Sequence, residues 1–195
     1  MKKKIVVNNR NDYNRFVKKL FIYKSILYKN VYFELENIVE DENLDYLIKG
    51  LNIKNRKKRI DFIYDMCCLI IDSKNSSTNI CGFINNQCFV QRKNKDKKCN
   101  GCCRKCIYQT GKGCSSKNLA CKLFNCSEVK KRFETLSDKD LILLKLLSLK
   151  NRFIVKSDYF SLREDVLKDL YCYSFIVSTI RIIFRLIKNM VLNGR

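Results

Sequence analysis

Residues 97–126 read KKCNGCCRKCIYQTGKGCSSKNLACKLFNC, and whether those sulfurs are held together decides how the middle of the chain folds. The stretch carries seven cysteines, Cys99, Cys102, Cys103, Cys106, Cys114, Cys121 and Cys126, in the spacing C-x2-C-C-x2-C-x7-C-x6-C-x4-C. A two-residue gap lets a turn aim both sulfurs at one tetrahedral ion. The stretch has too few large apolar side chains to fold unaided, so a bound cation is the expected staple. No histidine occurs anywhere in the chain, so ligands come from sulfur. Soft thiolates select zinc or iron over magnesium or calcium.

Upstream, ICGFINNQCFV at 80–90 places Cys81 and Cys88 either side of Asn85-Asn86, a pair that tolerates the positive backbone angles of a tight turn. A short hairpin here brings the two sulfurs near each other and raises the candidate ligands to nine cysteines. Two all-cysteine zinc sites use eight; one zinc or one iron–sulfur cluster uses four. Adjacent Cys102 and Cys103 fit one tetrahedron poorly, so they serve different sites or only one ligates. Arg92, Lys93, Lys95, Lys97, Lys98, Arg104, Lys105, Lys112, Lys117 and Lys122 crowd the cysteines. Nearby cations favour the thiolate that binds metal. The competing reading is a basic surface for nucleic acid, with Tyr108 and Phe124 as stacking residues; no RNA- or DNA-reading motif accompanies the charge. GKG at 111–113 reads as a turn between ligand-bearing segments.

CNGCC and GCSSKNLACKLFNC resemble the cysteine knot and the later cysteine segment of the bacterial YkgJ-like cysteine-cluster proteins, which are zinc- or iron-chelating domains. The resemblance covers residues 81–126. It implies that Cys99, Cys102, Cys103, Cys114, Cys121 and Cys126 are chelating positions. This chain has KNLA where that family usually has an Arg-Pro step, and a shorter gap. The lysine-methylase activity of some relatives does not transfer on a cysteine pattern.

Helical patterns flank the cysteines. Phe16, Val17, Leu20, Tyr23 and Leu27 predict an amphipathic helix capped by Asn11 or Asp12. VYFELENIV reads as a short helical or extended piece leading into EDENLDYL. Glu34, Glu36, Glu40, Asp41, Glu42 and Asp45 fall there, as a solvated face or as an internal partner for the basic cysteine module. Ile60, Ile63, Cys67 and Ile70 predict a helix after KNRKKR, with Cys67 and Cys68 as core packing because neighbours on a helix point about 100° apart. SKNSSTN at 73–79 reads as a polar linker. Ser137 is placed to cap a helix through DKDLILLKLLSL, and SLRE at 161–164 is a capping-box pattern opening a long helix. In the last segment Ser174, Ser178, Arg181, Arg185 and Lys188 form one polar stripe on an apolar cylinder, which predicts burial in a helical core together with Cys172. Peripheral membrane contact by residues 171–192 is the less favoured reading.

The fold expected is mainly α: helical N- and C-terminal parts, 1–75 and 129–195, able to share one core, flank a loop-rich, metal-stapled cysteine module at 76–128 with one short β-hairpin. A formal charge of +21 draws acidic protein partners or nucleic acid, although thiolates reduce it and an AT-rich codon usage inflates the lysine count. The start carries only a three-residue apolar run, too short for a secretory signal, which predicts a cytoplasmic, reducing setting. No histidine general base and no glycine-rich nucleotide loop is present, which disfavours an enzyme. The function expected is a structural or adaptor role built on one or two zinc ions. The alternatives are an iron–sulfur or thiol redox protein and a basic nucleic-acid binder.

Overall fold

A computed structural model describes residues 1–36, 42–78, 81, 82, 84, 88–93, 109, 110, 113, 114 and 117–193. The chain is mainly helical, and it divides into two compact units: residues 1–67 with 139–152, and residues 68–138 with 153–195.

The first unit opens with strands that the sequence reading did not separate from solvated charge. Strand β1 (Lys2–Val6) pairs in parallel with β2 (Tyr32–Glu36), Lys3 opposite Phe33 and Ile5 opposite Leu35. Parallel pairing needs a crossover, here helix α1 (Arg10–Ile22) continued by a π-helical turn at Tyr23–Leu27. Asn9, not Asn11 or Asp12, caps α1: its Oδ1 accepts from the backbone N–H groups of Asn11 at 2.9 Å and Asp12 at 3.0 Å. Phe16, Leu20 and Tyr23 form the buried stripe, with Tyr23 5.4 Å from the Phe33 ring. The acidic residues of β2 pair across the ladder, Glu34 with Lys2 at 2.9 Å and Glu36 with Lys4 at 3.4 Å. Those two carboxylates therefore serve the sheet. Glu40 and Asp41 lie outside the described residues.

Helix α2 (Glu42–Asn52) ends on Asn52, whose amide accepts from Phe33 N–H at 2.8 Å and donates to Phe33 O at 2.7 Å. The segment LILLKLL does not form the α-helix expected from Ser137. It makes a 3-10 helix at Ile142–Leu146, with its apolar side chains buried all round. Lys24 Nζ closes the end of this turn, donating to the carbonyls of Lys145 at 2.6 Å and Leu147 at 3.0 Å. A Cβ on Gly50 of α2 would sit 2.8 Å from Leu146 Cδ1, so a side chain there would force the end of the Leu146 side chain to move.

Helix α3 (Arg56–Thr78) belongs to the first unit up to Cys67 and to the second beyond it. Ile60, Ile63, Tyr64, Cys67, Cys68 and Ile71 are buried at helical spacing, so the two adjacent cysteines pack as core side chains, as their pattern predicts. The polar residues 73–78, read as a linker, are instead the last turns of α3.

The second unit contains α4 (Phe89–Lys93), the antiparallel pair β3 (Gln109–Thr110) and β4 (Gly113–Cys114), α5 (Leu119–Leu123) and α6 (Ser127–Lys130). Gly113 of the GKG stretch begins β4, and Gly111 and Lys112 lie outside the described residues. The hairpin expected around Asn85-Asn86 rests on residues 85–87, outside the described set. Helix α7 (Leu149–Ser157) enters the unit at Phe153, and α8 (Arg163–Tyr171) and α9 (Phe175–Asn193) follow. The long helix expected from Ser161 is thus broken at Cys172–Ser174, and Leu162, not Ser161, occupies the cap position. Cys172 is only half-buried, with Sγ 3.6 Å from Ser174 O.

The orientation of α9 reverses the expectation. Ser178, Ile182 and Asn189 are buried, whereas Ile176 is 70% and Phe184 71% exposed. Ser178 and Arg185 of the polar stripe face the protein together with Ile182 and Asn189, Arg181 and Lys188 lie at the border, and the apolar side faces outward. The reason is a pair of carboxylates elsewhere in the chain, described next.

Candidate functional site

Of the nine candidate ligands, Cys99, Cys102, Cys103 and Cys106 lie outside the described residues, and Cys114 is placed only by its backbone, in β4 opposite Gln109. Cys81, Cys88 and Cys126 come together. Cys88 is buried with Val90, and Cys81, Phe89 and Cys126 pack against that pair. Three separate segments deliver them: Cys81 from a turn, Cys88 from the residue before α4, and Cys126 from the residue before α6. The turn after Cys81 depends on Gly82, whose φ of 53° lies in the left-handed region that a side chain disfavours. It lets the Cys81 carbonyl accept from Phe89 N–H at 2.9 Å, which fixes the spacing of the first two cysteines.

Two cations stand beside this cluster. Arg92 Nη1 donates to Gly82 O at 2.6 Å, and the Arg132 guanidinium lies 3.6 Å from the centroid of the Phe89 ring. Among the described residues, however, no group of three or more Cys, Asp or Glu side chains is arranged to hold a metal ion.

Cys121 is positioned by other neighbours. It lies in α5, whose cap Asn118 accepts from Cys121 N–H at 2.8 Å through its Oδ1. Its Sγ accepts from the backbone N–H of Phe160 at 3.2 Å. Phe160 has φ of 62°, a conformation costly for an aromatic residue, so the surrounding bonds must hold it there. Burial pushes the Tyr159 phenol above its ordinary range, and negative charge on Cys121 adds to it. Lys122 of α5 forms an ion pair with Asp72 of α3.

What holds the 158–161 loop is a buried polar network that the sequence reading missed. Asn118 Nδ2 donates to Asp158 O at 2.8 Å and Ser161 O at 2.9 Å. The Ser161 hydroxyl donates to Asp158 Oδ1 and accepts from Arg185 Nε at 2.8 Å, so it is occupied here and cannot serve a capping box. Arg185 Nη2 reaches both Asp158 Oδ2 and Asp169 Oδ2 at 2.6 Å, and Arg181 Nη1 lies 3.3 Å from Asp169 Oδ1. Both carboxylate side chains are fully buried. Burial pushes the Asp158 carboxyl above its ordinary range against the pull of Ser161 and Arg185. Burial also opposes the Arg185 charge, but the hydrogen bonds and charges of Asp169 and Asp158 outweigh it and raise its pKa. Ser178 Oγ, 3.2 Å from Asp169 O, and Asn189 Nδ2, 3.3 Å from Phe160 O, complete the attachment of α9. A chain of bonds therefore runs from α9 through Asp158 and Asn118 to the helix carrying Cys121.

Comparison with protein-family models, with curated proteins and with solved structures finds no match. Among the described residues, no helix is long and apolar enough to cross a membrane.

Proposed function

We propose that this is a metal-binding cysteine-cluster protein, with zinc as the ion, in which sulfur ligation ties the loop-rich middle of the chain to its helical frame in a structural or adaptor role. The observation that carries the reading is the gathering of Cys81, Cys88 and Cys126, from three segments, into one cluster flanked by Arg92 and Arg132. These three side chains pack together without being arranged as ligands, and a closed tetrahedral thiolate site uses four sulfurs. The stretch Cys99–Cys114 supplies the remaining candidates, and its resemblance to zinc- or iron-chelating cysteine-cluster domains belongs to the same reading. When bound, the ion supplies cross-linking between segments that have little apolar surface of their own. Thiolate ligation implies a reducing compartment, and the cytoplasm fits it.

The test is elemental analysis of untagged protein together with a thiol count before and after chelation. The expected result is one or two zinc ions per chain, lost metal and newly reactive thiols on chelation, and reduced metal content in Cys88→Ser and Cys126→Ser. A visible absorption band in anaerobically purified protein transfers the reading to an iron–sulfur cluster, since zinc thiolate is colourless. Absence of any bound metal, with all thiols reactive at the outset, refutes it.

A further inference from the structure

We infer that the outward face of α9 is a docking surface for an anionic membrane, on which the helix lies flat with its apolar side chains in the interfacial layer. The inference stands apart from the cysteine cluster and uses none of its residues.

Helix α9 has 19 residues, which makes it about 28 Å long. At helical spacing, Ile176, Ile180, Ile183, Phe184, Ile187 and Val191 fall on one side, and all are exposed. Such a continuous apolar face is uncommon on a soluble monomer and marks a contact surface. It cannot be relieved by rolling the helix over. That rotation would strip Arg185 from Asp158 and Asp169 and leave two buried carboxylates without their shared cation. The fold thus holds the apolar face outward with its strongest polar contacts.

Charge selects the occupant. Helix α9 contains no acidic residue; Arg181, Arg185 and Lys188 are its only charged side chains. Arg185 is consumed by the internal network, while Arg181 is half-exposed and Lys188 is exposed. Both fall along one border of the apolar face, where long cationic side chains reach headgroups while the apolar residues sit deeper. A second copy of the chain is a poorer occupant, because it would bring two such cationic borders, and two chains of formal charge +21, against each other. Anionic lipid reverses the sign of that term and favours each nearby Lys or Arg. The three cations within the apolar run disfavour a spanning orientation, and no described helix is long and apolar enough to cross a membrane, so the helix lies on the bilayer.

The experiment is flotation of the full-length protein with vesicles of phosphatidylcholine containing phosphatidylserine, and with vesicles of phosphatidylcholine alone. The expected result is binding to the anionic vesicles that weakens at least about tenfold on neutral ones, and that falls as salt rises. The triple variant I180S/F184S/I187S should lose binding while keeping its far-UV circular dichroism, since the three side chains lie on the exposed face and none belongs to the buried core. Lys188→Glu, which touches no part of the internal network, should weaken binding roughly tenfold. Failure to float with anionic vesicles overturns the inference. So does binding that the triple variant retains, which would assign it to surface charge alone. Self-association without lipid, abolished by the triple variant and unaccompanied by vesicle binding, overturns it in favour of a second copy.

Discussion

Removing the Arg185 guanidinium should be among the most damaging single changes in the chain. Its Nη2 lies 2.6 Å from a carboxylate oxygen of Asp158 and of Asp169, and neither carboxylate side chain has any contact with solvent. Breaking a buried pair from one side costs about 3–5 kcal/mol, because the remaining charge stays buried without compensation. Arg185→Leu should therefore fall in that range, whereas Arg181→Ala should cost under about 1 kcal/mol, since Arg181 is half-exposed and screened. Urea unfolding followed by circular dichroism reads the difference; with a slope of about 2 kcal/mol/M, Arg185→Leu moves the midpoint by about 1.5–2.5 M. The pH dependence gives a second check. Burial already holds the Asp158 carboxyl above its ordinary value, and loss of Arg185 raises it further. A carboxyl whose folded pKa lies above its unfolded one favours folding while protonated, and that advantage disappears as pH rises through the folded value. The penalty of Arg185→Leu should accordingly be smaller at pH 4 than at pH 8. An Arg185→Leu midpoint within about 0.5 M of the parent, or a penalty unchanged by pH, would refute the inward polar stripe and with it the outward apolar face.

Other substitutions probe the rest of the frame. Gly50→Ala places a methyl 2.8 Å from Leu146 Cδ1 while improving helix propensity by about 1 kcal/mol, so its net effect should stay within about 2 kcal/mol of destabilisation in the same unfolding assay. Gly82→Ala forces a side chain onto a backbone at φ 53° and should cost about 1 kcal/mol, while raising the rate at which a thiol reagent modifies Cys81 and Cys88. Asn52→Leu strips both hydrogen bonds from the backbone of Phe33 and should cost about 1–3 kcal/mol, with faster hydrogen exchange at Phe33 N–H.

The helical character was legible wherever one face of a helix is apolar and meets its own unit. Phe16, Leu20 and Tyr23 mark α1, and Ile60, Ile63 and Cys67 mark α3, because a 3.6-residue period reports burial directly. The same logic failed for α9. Its periodicity was read correctly, but periodicity shows which residues share a face and not which face looks inward. Asp158 and Asp169 settle that, and they precede the helix on other elements. Strands β1 and β2 were hidden because KKKIV and YFELE bury little beyond Ile5 and Phe33, and their charges resemble a solvated run until Lys2 meets Glu34. At the cysteines, spacing alone brought Cys81 and Cys88 to notice together. That Cys126 joins them and Cys121 does not could not be read from intervals; it follows from where Asn118 and the 158–161 loop hold α5.

The amide of Asn52 has a consequence for solubility. A two-stranded sheet leaves two flanks on which a foreign strand can template, and an unguarded flank is a seed for aggregation. On the β2 flank, Asn52 occupies the donor and acceptor of Phe33 as a third strand would, while Lys2 and Lys4 of β1 are tied to Glu34 and Glu36 of β2. At Phe33 that flank is therefore sealed by a side-chain imitation of a neighbouring strand.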